Sequence, residues 1–166
     1  MDFFIFKYMV VYINFLKKLH KKLGLLKLFF ITLLIWLGFS RAYLILKSLI
    51  INNEYDTIYI FDDSLISKIF EVVIFGPLVE TFILQYLVII MTKRFLKAYS
   101  ILLSALLFAL FHRDLYMLLY FFTFGFILAS LYYFFRYHTK ERAFLITFLL
   151  HAFWNLYTVL ANHYFT

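Results

Sequence analysis

The sequence predicts an all-α, polytopic transmembrane bundle of about five spanning helices. It is 66% hydrophobic and only 15% charged, with a mean hydropathy of +0.92; a soluble domain is nearer half apolar and a quarter charged. One proline and four glycines leave long stretches without a helix breaker. A net charge of +7 is concentrated just outside the apolar runs, where it acts as a topology signal rather than a nucleic-acid surface. The absence of cysteine excludes disulfides, thiol nucleophiles and Cys-ligated metals. Too few polar residues remain to build a soluble domain beside the bundle.

Residues 3–16 are apolar all round yet short for a span at 1.5 Å per residue, which predicts an N-terminal helix lying in the interface or beside the bundle. Without an early basic region or a small-residue cleavage site it is expected to be retained. A basic stretch with Lys17, Lys18, Lys21, Lys22 and Lys27 leads into the first span, about 28–51, which contains Trp36. An acidic loop with Glu54, Asp56, Asp62 and Asp63 completes an N-terminal region of residues 1–65.

The second span, about 66–92, carries Glu71 and Glu80. It is followed by Lys93, Arg94 and Lys97. A short third span, about 98–112, closes on His112, with Arg113 and Asp114 behind it. The fourth runs over about 115–135 into a loop with Arg136, Lys140 and Arg142. The fifth covers about 143–160, and residues 161–166 form a short tail. Placing the basic loops in the cytoplasm makes every span alternate, with the N-terminal lysines inside and the C-terminus outside. An integral protein of a bacterial plasma membrane is expected, with lipid as its surroundings and no nucleic-acid partner.

Glu80, Gln85, His112, His151 and Asn155 are the polar residues that hydrocarbon does not explain. An ionised carboxylate at mid-bilayer costs about 2.5–3.5 kcal/mol even on insertion scales, so an acid there is functional by default. His151 and Asn155 share a helix face at i, i+4, as do Phe108 and His112. Taken singly, Asn155 and His112 read as a helix–helix hydrogen bond and an interfacial residue, and Glu71 as structural beside Lys68. Thr81, Thr123, Ser130 and Thr147 can satisfy themselves on their own helices. Pro77 cannot donate to the carbonyl of Val73, so the helix is expected to kink three residues before Glu80 and open a wet pocket, with Gly76 leaving room.

The segments "PLVETFILQ", "FALFH" and "HAFWN" resemble, in this order, the motifs of the CPBP (Abi, CAAX-protease-like) intramembrane proteases, relatives of the type II CAAX prenyl endopeptidases. That family carries Glu-Glu-x-x-x-Arg after a proline, then Phe-x-x-x-His, then His-x-x-x-Asn or Asp. The run "FFTFGFILASLYYFF" resembles its intervening helix, with Gly125, Ala129 and Ser130 at small-residue positions. The likeness covers residues 66–160, a four-helix protease core.

It implies an endopeptidase acting on a membrane-proximal, prenylated or bacteriocin-like peptide. Glu80 and His112 would hold and activate a water, and His151 and Asn155 would stabilise the oxyanion, with Gln85, Thr81, Pro77 and Phe108 in support. Desolvated carboxylates are better bases, and donors in a dry pocket stabilise developing charge. Two motif positions differ: Thr81 stands for the second Glu and Gln85 for the Arg, so Glu80 lacks the family's countercharge. Glu80, His112 and His151 could in principle hold zinc with a water as fourth ligand, yet no His-Glu-x-x-His helix exists and the roles need no metal; a metal-free site is expected. The alternatives are a catalytically weak or inactive membrane scaffold of the bacteriocin self-immunity type and a proton or cation carrier, the latter disfavoured by the lack of repeat symmetry.

Overall fold

In the computed structural model, residues 2–50, 65–113, 117–138 and 142–165 are described. The acidic loop with Glu54, Asp56, Asp62 and Asp63, as well as Asp114 and Lys140, lie outside them. Among the described residues every regular element is a helix: α1 (Asp2–Ile50), α2 (Leu65–Leu96), α3 (Tyr99–Phe111), α4 (Leu118–His138) and α5 (Ala143–Phe165).

The all-α bundle expected from composition is observed. Three of its helices, Leu65–Leu96, Leu118–Tyr137 and Ala143–Ala161, are long and apolar enough to cross a membrane, and the two arms of α1 make a fourth if taken as one broken span. Among the described residues that is fewer than the expected five or so, by length and composition alone. The reason lies in α3. Its 13 residues extend ~20 Å, short of a ~30 Å hydrocarbon core.

Helix α1 is two arms, Val10–Gly24 and Lys27–Tyr43, turned by 119°. The turn is made at Gly24, whose φ of 76° and ψ of 172° belong to glycine. The basic stretch is thus helical and forms the tip of a bent pair. The first arm packs beside the bundle on α4, with Tyr12 against Phe126 and His20 edge-on to Phe134. The second returns along the same helix: Trp36 stacks on Phe124 at 4.9 Å and meets Trp154, and the Ser40 hydroxyl lies 3.2 Å from that of Tyr120.

Helix α2 departs from α geometry on both sides of its proline. Ile69–Phe75 and Thr81–Leu87 are π-helical, and only Gly76–Glu80 between them is α. Pro77 in the first turn of that short piece needs no N–H for it, and the wider π turns take up the mismatch that a proline imposes. A Cβ on Gly76 would stand 3.1 Å from the Glu71 carbonyl oxygen, a tight contact that glycine avoids. Close approach recurs between α3 and α4. A Cβ on Gly125 would be 2.8 Å from Phe108 Cβ, and Ala105, Phe108, Ala109, Leu128 and Ala129 are fully buried around it. The Ser104 hydroxyl donates to the Leu84 carbonyl at 2.5 Å, pinning α3 to α2.

Candidate active site

Three helices bring one side chain each to a common point. Glu80 ends the short α piece of α2, His112 closes α3, and His151 lies on α5. Glu80 Oε2 is 3.8 Å from His112 Nε2 and 3.7 Å from His151 Nε2. The exposures are graded, with the Glu80 and His112 side chains 17% and 22% accessible and that of His151 2%. The site therefore has an open side at the first two residues and a closed wall at the third.

The shortness of α3 positions His112. A hairpin partner as long as α2 would carry its last residue past the middle of α2. Instead α3 stops at Phe111, with Arg113 at a φ of 54° ending the helix. The His112 ring then folds back along its own last turn, as helical side chains do. His112, predicted at the outer end of its span, thus stands at the level of Glu80.

The ring is fixed in three ways. Its Nδ1 donates to the Phe108 carbonyl at 2.8 Å; a carbonyl can only accept, so the direction is settled. It stacks on Phe121 at 4.0 Å with a 20° interplanar angle, and Phe108 lies 4.6 Å away on another side. In the neutral ring, Nε2 therefore turns a lone pair toward Glu80. His151 is walled by Phe108 and Phe124, with ring centroids at 5.6 and 5.2 Å.

Several polar atoms here are buried without a hydrogen-bond partner among the described residues: Glu80 Oε2, His151 Nδ1, Thr81 Oγ1 and both amide atoms of Gln85. A carboxylate oxygen and a bare imidazole nitrogen are both acceptors, so their approach to 3.8 Å favours a molecule with two hydrogens to give. The site is thus suited to holding a small protic molecule, water above all, ~2.8 Å from each.

Asn155 is placed otherwise. Its Nδ2 donates to the backbone carbonyl of Val72, on the first π-helical stretch, at 2.8 Å. The oxygen left free by the proline was expected at Val73, in α register; the one that is bonded belongs to Val72. Thr81 and Gln85 are fully buried and make no hydrogen bond to Glu80 among the described residues. Phe121 and Phe124, which shape both imidazole positions, were not singled out from sequence, because nothing distinguishes them among 24 phenylalanines.

Glu80 Oε2 lies 3.8 and 3.7 Å from the two imidazole nitrogens, a little wider than the ~3.3–3.4 Å between donors ~2.0–2.1 Å from one ideal tetrahedral zinc. Among the described residues no group of three His, Cys, Asp or Glu has metal-holding spacing.

A family model, described as type II CAAX prenyl endopeptidase Rce1-like, matches residues 62–157. Neither a curated protein nor a solved structure matches the chain.

Proposed function

Because the chain belongs to the type II CAAX prenyl endopeptidase Rce1-like family, we propose that it is a glutamate-dependent intramembrane endopeptidase that cleaves a membrane-held, lipidated peptide near its C-terminus. Family membership gives CAAX-protease-type activity in an integral membrane protein. The bond cleaved and the residues that cleave it are our reading.

The observation that carries the reading is the convergence of Glu80 Oε2 with the two imidazole nitrogens at 3.8 and 3.7 Å. A water between Glu80 and His112 gives one hydrogen to each. Glu80 takes the first proton as the water oxygen attacks the scissile carbonyl carbon, and His112 Nε2 holds the second and aims the attack. Negative charge then develops on the former carbonyl oxygen. His151, in its Nε2–H tautomer and walled by Phe108 and Phe124, donates to that oxyanion from a fixed, dry position, where such a bond stabilises most. Glu80 returns its proton to the departing nitrogen as the C–N bond breaks. The products are a new carboxylate and an amine, and no step passes through a metal.

Exposed apolar residues beside the site, including Phe75, Leu78, Phe82 and Phe111, let a lipid-anchored substrate approach from within the bilayer. The test is cleavage of a prenylated CAAX-type peptide by the purified chain in proteoliposomes. Wild type is expected to release the C-terminal fragment and Glu80→Gln to release it at least about a hundredfold more slowly. A folded wild-type protein that cleaves neither prenylated nor plain peptide would point instead to the inactive immunity scaffold, the reading that the missing Glu and Arg at Thr81 and Gln85 would favour.

A further inference from the structure

The π-helical turns before Glu80 have a consequence for Asn155. In a π turn each N–H bonds the carbonyl five residues earlier. The Glu71 carbonyl stands directly over Gly76, 3.1 Å from where its Cβ would be, which is the five-residue register. The next pair in that register is Pro77 and Val72. Pro77 has no N–H, so the Val72 carbonyl has no backbone donor to receive. Val72 is 37% exposed on a helix long and apolar enough to span, and a carbonyl left without a donor against hydrocarbon is costly. The Asn155 amide donates to this oxygen at 2.8 Å.

We infer that Asn155 is a positioning residue whose side-chain N–H replaces the backbone N–H that Pro77 lacks, locking the π register that aims Glu80. The inference rests on the protease reading for its effect on rate, but the hydrogen bond itself does not. Glu80 lies three residues after Pro77, and His151 lies one turn before Asn155 on α5. One bond therefore fixes the helix that carries the base against the helix that carries the second imidazole. The i, i+4 pair on α5 has divided duties: His151 faces the reacting atoms and Asn155 holds the backbone beneath them. A register left free to relax would shift Glu80, and a misplacement of ~1 Å can cost on the order of a hundredfold in rate.

The partner of Asn155 is set by a proline, so the interaction can be tested as a coupling. Pro77→Ala returns an N–H that can reach the Val72 carbonyl and makes Asn155 dispensable. Turnover and thermal midpoint are measured in detergent for wild type, Asn155→Ala, Pro77→Ala and the double variant. Asn155→Ala alone is expected to lower kcat by about tenfold or more with KM little changed, and to lower the midpoint. In the Pro77→Ala background the same change is expected to cost less than about threefold, with little further loss in midpoint. Equal losses in both backgrounds, in kcat and in midpoint, would overturn the inference and return Asn155 to direct oxyanion donation. Where Pro77→Ala itself abolishes turnover, the midpoint coupling decides alone. Glu80→Gln in the same assay keeps the two ideas separate. Full activity there removes Glu80 as the base, while the midpoint coupling still judges Asn155.

Discussion

Gln85 and Glu80 are both buried polar residues of α2, and they differ in what surrounds them. Glu80 has two imidazole nitrogens within 3.8 Å, whereas Gln85 is fully buried with neither amide atom bonded among the described residues. An unpartnered buried amide costs ~1–3 kcal/mol, and a leucine of similar volume carries no such cost. Gln85→Leu is therefore expected to raise stability by about 1 kcal/mol, read as a higher thermal midpoint in detergent; a clear fall would mean that Gln85 is hydrogen-bonded in the membrane. The first motif was legible up to Glu80 because an acid in hydrocarbon demands a reason. It was not legible at Gln85, since one amide side chain in a sequence says nothing of whether its partners exist.

Helices set the site by how they end and how closely they pass. The short α3 stops beside Glu80 instead of crossing, and Gly125 lets it approach α4 until Phe108 occupies the space of a Cβ. Phe108 also accepts the His112 hydrogen bond, so this contact reaches the chemistry. Gly125→Ala is expected to cost about 1–3 kcal/mol through overpacking and to lower turnover by displacing His112, checked by thermal midpoint and kcat together; unchanged values in both would contradict the packing described. The span count could not be read from sequence alone because an apolar run gives length only loosely, and 98–112 reads the same whether it crosses or stops. The turn at Gly24 was hidden because a basic stretch between two apolar runs does not say where a helix bends. The partner of Asn155 could not be read because it is a backbone oxygen, and its identity depends on a π register that no side-chain pattern marks. Pro77 was the one visible sign, and it pointed to the neighbouring carbonyl.

Across the whole bundle, the basic segments gather at one end. His20 packs against Phe134 and Phe135, bringing the lysine-rich tip of α1 to the end of α4 that carries Arg136. Helix α2 finishes with Lys93 and Arg94, and Lys97 sits at the turn into α3, which runs back beside α4. We propose that this end is cytoplasmic, as the positive-inside rule requires. The chain has no cysteine, so single probes are clean. In intact cells an impermeant maleimide is expected to label Asn53→Cys and to leave Lys97→Cys untouched, and the reverse pattern would invert the topology.

The account as a whole depends on a water activated by Glu80. Its most direct test is cleavage of a prenylated CAAX-type peptide in ¹⁸O-water by proteoliposomes holding wild type or Glu80→Gln, with the products weighed by mass spectrometry. Wild type is expected to place one ¹⁸O in the new carboxylate, and Glu80→Gln to slow the reaction by about a hundredfold or more. Cleavage by Glu80→Gln at the wild-type rate would contradict it.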